Sequence, residues 1–508
     1  MNRFKEFYNK RLLKYLGLFV SAFICFLHVR LLAPGVDAGL HLYGSMLVSK
    51  GMSPFHHLWN NKPPLIYFIG AAGFILQSNS FLGVRFVEVI FFILDLYLLY
   101  NIALMVRSKS PIVYLLGFSA LFLVSWDQGF LTETFSIPLS LLALYLFLRR
   151  TTFFEWIAGL LLLLTFLLKQ NGICIISGII LLDVFSQYRK GPIIKKIIQY
   201  IIAITFFSGL SWLILKLTSN WSEFWDQAFS YNNLHASKPS LMKFFTNQFF
   251  RNGFISVRGI SLIMIFHLAI LASLWQFLIR KRKAISLTIH DQAVLLSILI
   301  YFISYPIVYI SGKTYPHYFM MLIIPATIVL SHYVNESSWG KITLGLLLVF
   351  GLITNIQLIH LDRQMVESRS EIANYVSART NSEQPILVAG FGFQSIYVSA
   401  NRLSTTRFVM PLFENDGYSE EYKRIILKDF SENPPVFIIV SKLSYRPLDP
   451  ENFYTKVLMK ILSTYIPVFE NESFRIYKRG ELLAVKKKVY SVFLASAGFR
   501  MSSVLLNI

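Results

Sequence analysis

The chain has 508 residues, 55% of them hydrophobic, 16% aromatic and only 15% charged, with mean hydropathy +0.55. A soluble domain carries about 25% charged residues, so the deficit excludes a soluble globular protein. The net charge of +21 is not placed for nucleic acid: 29 Lys+Arg stand against 12 Asp+Glu in residues 1–360, and 19 against 15 in the last 148.

Most of the surplus lies in short segments between apolar runs (Arg107 and Lys109, Arg149 and Arg150, Arg189 to Lys196, Arg280 to Lys283). That is the positive-inside bias of a membrane protein, and it orients the chain. With Arg3, Lys5, Lys10, Arg11 and Lys14 in the cytoplasm, the run at 11–33 is a first span. It is too long for the apolar core of a signal peptide and reads as a retained anchor. If the basic segments are all cytoplasmic, further spans fall at about 83–106, 111–126, 133–148, 153–168, 171–185, 197–217, 259–280, 291–311, 316–333 and 341–360. The expected fold class is a polytopic α-helical membrane protein of about eleven spans with a small extracytoplasmic α/β domain at the C-terminal end.

This count leaves out PLIYFIGAAGFILQ, residues 64–77, because counting it would reverse every later basic loop. Its roughly 14 residues suit a re-entrant or interfacial segment; the alternative is a twelve-span chain that obeys the charge rule poorly. Residues 218–258 form an aromatic outer loop with Trp221, Trp225, Phe244, Phe245, Phe249 and Phe250. Such a segment either anchors at the interface or contacts a lipid substrate. From about 361 to 480 the composition becomes that of a soluble domain. Residues 385–391 and 435–441 read as buried parallel strands, and 365–380 and 419–431 have helical spacing. Residues 481–508 form an apolar tail behind Lys486, Lys487 and Lys488. Cys25 and Cys174 lie in apolar spans and read as packing residues.

This topology gathers polar groups on the outer side. Asp37 follows the first span and precedes an amphipathic helix, AGLHLYGSMLVSKG. It is either an N-cap or an ionised base at the membrane edge. Lys62, in NNKPPL, is either a snorkelling lysine or a cation pinned by Pro63-Pro64 for a lipid phosphate. Glu133 opens an otherwise apolar span; it is either functional, as an acid entering hydrocarbon is by default, or part of a Thr132-Glu133 cap. Asp127 reads as a solvated loop residue. LLKQNG contributes Lys169 and Gln170, and SGKTYPHYF contributes Lys313, Tyr315, His317 and Tyr318, donors able to hold phosphate oxygens. His41, His56, His57 and His317 have no spacing diagnostic of a metal.

The ordered set VDAGLHLYGSMLVSKGMSPFHHLWNNKPPLIYF, FLGVRF, LTETF, LLKQNG, SGKTYPHYFMMLIIP, ILVAGFGFQSIYVSANR and PPVFIIVS resembles the GT-C polyprenyl-phosphate-sugar glycosyltransferases. It is most similar to the family 39 type, the protein O-mannosyltransferases and lipid A aminoarabinose transferases. The resemblance implies that residues 1–360 are a transmembrane transferase module whose first catalytic loop spans 34–82. It implies that Asp37 is the catalytic base and Glu133 a second, assisting carboxylate. Lys62 and Arg85, and with them Lys313, Tyr318 and Lys169, would meet the donor phosphate. Many relatives carry Asp-Glu where this chain has Asp37-Ala38, so that second acid has no counterpart. The implied partners are a polyprenyl-phosphate sugar, membrane lipids and a glycan, lipid or protein acceptor, with no nucleic acid. No nucleotide cofactor is implied, and these residues do not call for a divalent metal. The rival readings are a transporter or flippase, for which internal repeats are expected, and a polymerase or ligase with its chemistry in a later loop.

A cysteine at position 75 tests the topology: it should be labelled by an impermeant thiol reagent from outside the cell. A signal from the cytoplasmic side alone would make 64–77 a span.

Overall fold

A computed structural model describes residues 35–77, 81–125, 129–186, 193–218, 221–232, 289–309, 320–390, 392–409, 419–442 and 451–480, with isolated helical positions before 35 and between 275 and 279. The span expected at 11–33, Cys25, Asp127, most of the span at 259–280 and of the aromatic loop beyond 232, the 313–318 cluster and the 481–508 tail lie outside the described residues. The chain divides into two compact units, Met1–Glu367 and Ser368–Ile508.

The first unit is helical. In chain order it comprises α1 (Val36–Ser49), α2 (Leu65–Leu76), α3 (Phe81–Met105), α4 (Ile112–Ser125), α5 (Thr132–Leu148), α6 (Phe154–Leu168), a 3-10 turn (Gln170–Ile173) and α7 (Cys174–Ser186). It continues with α8 (Ile193–Thr218), α9 (Trp221–Trp225) running into a π-helical turn (Asp226–Ser230), α10 (Ile289–Tyr309), α11 (Ile323–Glu336) and α12 (Ser338–Ser377). Helices therefore stand where the apolar runs predict them. By length and composition Ile193–Leu217 is long and apolar enough to cross a membrane, and its surface is largely exposed. Its outward isoleucines, phenylalanine and tryptophan (Ile197, Ile201, Phe206, Trp212) suit lipid. Phe92, Leu99, Phe118, Leu141, Ile175 and Ile324 belong to one core shared by α3, α4, α5, α7 and α11.

One feature differs from the sequence reading. α1 is not amphipathic: Ala38 to Leu47 are all buried, because α2 covers it closely. Small residues permit this, since a side chain at Gly44 would strike the Tyr67 ring and one at Gly70 would strike Ser45 and Phe130. Helix α2 rises only about 18 Å over its 12 residues, against about 30 Å of hydrocarbon in a bilayer.

The second unit holds a four-stranded sheet in the order β1-β2-β4-β3. β1 (Ile386–Ala389) and β2 (Phe437–Ser441) pair in parallel, with Ile386 opposite Phe437, as their unbroken apolar runs predict. β3 (Tyr465–Glu470) and β4 (Phe474–Arg479) form an antiparallel hairpin whose polar alternation hid it from the sequence reading. Helices α13 (Ser395–Ala400), α14 (Glu420–Glu432) and α15 (Phe453–Leu462) complete the unit. Arg402 closes the end of α12, donating to the carbonyls of Ser377 (3.2 Å) and Thr380 (2.5 Å).

Candidate active site

Asp37 lies in the first turn of α1, where the helix dipole favours a negative charge. It is not the cap: Gly35 holds that position and no side chain caps the helix. Across the loop that links α1 to α2, Lys62 precedes the rigid Pro63-Pro64 step that starts α2. Its Nζ is 3.8 Å from Asp37 Oδ2, within Coulomb reach but beyond hydrogen-bond distance. The Asp37 side chain keeps 29% of its surface exposed and that of Lys62 14%. This carboxylate and ammonium can therefore meet an incoming group.

The second acid is in a different state. Glu133, in the first turn of α5, is only 2% exposed and forms an ion pair with Lys169, itself 6% exposed, at the end of α6. Thr132 Oγ1 donates to the other carboxylate oxygen at 2.8 Å. Leu131 is the N-cap of α5 and no side chain caps it, so Glu133 is held by a buried cation rather than by a capping role. Burial pushes the Lys169 ammonium down to about 8, against the opposite pull of Glu133. Lys62 and Asp37 also act on it, so the two ion pairs share one electrostatic environment.

Between the pairs lies the peptide of Phe130. Gly129 (φ 74°) and Phe130 (φ 49°) are both left-handed, a strained geometry for a bulky aromatic residue. Glu88 of α3 accepts the Phe130 N–H at 2.5 Å and, through its other oxygen, a 2.6 Å bond from Arg85. On the opposite side, His41 Nδ1 lies 3.1 Å from the Phe130 carbonyl. A carbonyl only accepts, so Nδ1 carries the proton. His41 sits one turn beyond Asp37 on the same helix face and is 1% exposed. Burial lowers it to about 4, with Asp37 pulling the other way, so the ring is neutral at pH 7.

The described part of the aromatic loop straps this region down. Gln227, in the π-helical turn, donates to the Phe55 carbonyl (2.9 Å) and accepts from the Asn60 N–H (3.1 Å). Asn61 Nδ2 donates to Asn232 Oδ1 (2.9 Å), Asn232 Nδ2 donates back to the Asn61 backbone carbonyl (3.0 Å), and Gln170 donates to the Ala228 carbonyl at 3.0 Å. These contacts fix the loop that carries Lys62. Beside it is a cavity of about 230 Å3 lined by Val48, Phe55, Pro64, Phe68, Leu215 and Phe224.

Of the residues expected from the sequence, Asp37, Lys62, Glu133 and Lys169 come together. Arg85 is instead engaged with Glu88, and Lys313 and Tyr318 are outside the described residues. Among the described residues no group of three His, Cys, Asp or Glu side chains is disposed to hold a metal ion. Sequence reasoning missed His41 and Glu88. The four-residue spacing of Asp37 and His41 was the available signal for the first; for the second it was a carboxylate inside an apolar run, as at Glu133.

Residues 61–214 match the model of the dolichyl-phosphate-mannose-protein mannosyltransferase family. The fold is similar to that of ArnT from Cupriavidus metallidurans bound to undecaprenyl phosphate: TM-score 0.62 and 11% identity over 92% of this chain and 98% of that one. The apo state of the same ArnT gives 0.59 and 12%, over 91% and 97%. The Archaeoglobus fulgidus oligosaccharyltransferase in complex with zinc and sulfate gives 0.39 and 12%, over 84% and 68%. No curated protein matches the sequence. The fold is thus similar to that of ArnT along almost the whole length of both chains. The segment from α2 through most of α8 is similar to the mannosyltransferase family.

The buried pair makes a thermodynamic prediction. Removing one partner of such a pair costs about 3–5 kcal/mol, so Lys169→Met should melt well below wild type in detergent. The double variant Lys169→Met/Glu133→Gln, which removes both charges, should recover most of the loss. Equal melting of the single and double variants would contradict a buried ionic contact.

Proposed function

We propose that the protein transfers a sugar from a polyprenyl phosphate to an acceptor hydroxyl on the outer face of the cytoplasmic membrane, inverting the anomeric carbon. The observation that carries this reading is the partly open Asp37–Lys62 pair: a base and a cation side by side, next to an apolar cavity. A lipid phosphate is already a leaving group, so the reaction needs no nucleotide. Asp37 takes the proton of the acceptor hydroxyl as its oxygen attacks C1. The bond from C1 to the phosphate oxygen breaks, its electron pair leaves with the polyprenyl phosphate, and Lys62 offsets the charge that develops there. One displacement by one nucleophile inverts the centre.

Glu133 assists from behind: buried with Lys169, it holds a second cation near the pair without meeting the acceptor. Lys169 then contributes through its field. Lys313 and Tyr318 are proposed as further contacts to the donor phosphate. Arg85 joins them by exchanging Glu88 for a phosphate oxygen. The cavity beside Pro64 suits the first part of a prenyl chain. In this reading the chain crosses the membrane about eleven times with α2 re-entrant, the N-terminus is cytoplasmic, and residues 361–480 form an extracytoplasmic α/β domain. The acceptor is a glycan, lipid or protein hydroxyl, and the sugar is a hexose or pentose.

In a transfer assay with purified protein and a panel of polyprenyl-phosphate sugars, Asp37→Asn should lower kcat about 100-fold or more, the scale of a lost general base. Lys62→Ala should act mainly on KM for the donor. Transfer by Asp37→Asn at the wild-type rate would remove the mechanism.

A further inference from the structure

Both backbone groups of Phe130 are held by side chains of two other helices. Its N–H goes to Glu88 of α3 and its carbonyl to His41 of α1. The grip is spent on a residue that resists its own conformation: an aromatic side chain at φ 49°, directly after Gly129 at φ 74°. Three residues later comes Glu133. Four residues before His41, on the same face of α1, comes Asp37. The His41 side chain and Phe130 therefore join the helix that carries Asp37 to the segment that leads into Glu133.

We propose that His41 is a positioning residue of the transferase: through Nδ1–H it holds the Phe130 carbonyl, and so sets where the Glu133–Lys169 pair stands relative to Asp37 and Lys62. Glu88, which accepts the Phe130 N–H through Oε1, is the opposing half of the clamp. The inference rests on the transferase reading of this site, and it gives a role to a residue that the chemistry itself does not use. His41 is not the base, because it is buried and its Nδ1 proton is committed to a carbonyl. Its Nε2 makes no hydrogen bond among the described residues, so the working atom is Nδ1.

The two ring nitrogens can be separated by substitution. An asparagine amide nitrogen reaches the position of Nδ1, and a glutamine amide nitrogen that of Nε2. His41→Asn should keep kcat within a small factor of wild type. His41→Gln and His41→Phe, which leave the Phe130 carbonyl without its donor, should lower kcat about tenfold or more, the scale of one orphaned buried acceptor. The KM for the donor should stay close to wild type in all three, because Lys62 is untouched. Melting temperature and gel-filtration behaviour identify variants that fail to fold. If His41→Phe is among them, the ranking of Asn above Gln still decides. A folded His41→Gln that matches wild type, or a folded His41→Asn that falls with it, overturns the proposal. If the wild type itself transfers no sugar from any polyprenyl phosphate, it is the transferase reading that fails, independently of the His41 ranking.

Discussion

A carboxylate buried in an apolar helical bundle stays ionised when a cation is buried with it, and Lys169 does this for Glu133. The consequences reach through the first unit. The beginning of α5 and the end of α6 must lie at one level, which fixes the register of two antiparallel neighbours. The chain ahead of Glu133 must make an abrupt turn, which it does through two left-handed residues in succession. The cost of that turn is offset by hydrogen bonds of the Phe130 N–H to Glu88 of α3 and of the Phe130 carbonyl to His41 of α1. Helix α1 is thereby tied to α5, and Asp37 with it.

This arrangement divides the work between two carboxylates of the same chemistry. Asp37 is partly open and sits beyond hydrogen-bond distance of its lysine; Glu133 is closed and fully engaged. In the proposed reaction only the open acid moves a proton. The closed one stabilises a cation at a place where the field it contributes is weakly screened by water. The strap formed by Gln227 and Asn232 has a parallel role for Lys62, whose loop carries no regular structure of its own.

Much of this was legible in the sequence because membrane helices announce themselves by composition. The apolar runs located α3 to α8, and the unbroken runs at 385–391 and 435–441 located the parallel pair of strands. Asp37, Lys62, Glu133 and Lys169 stood out because charge is scarce in such a chain. The partnerships were not legible. Lys169 read as a phosphate ligand, yet its nearest oxygen is on Glu133, 36 residues earlier. Glu88 in an apolar helix was missed, because its value lies in reaching the backbone of residue 130, a contact no periodicity encodes. The β3–β4 hairpin was missed because half of it faces outward, so its apolar signal is diluted.

The proposed reaction is a single displacement at an anomeric carbon, read from the first-loop pair and the apolar cavity beside it. The stereochemistry of the product tests that most directly. A polyprenyl-phosphate sugar of defined anomeric configuration is converted by the purified protein, and the anomeric coupling constant of the product is read by NMR. The account predicts an inverted centre. Retention of configuration would require a covalent intermediate or a second displacement, and would contradict Asp37 acting as a simple base.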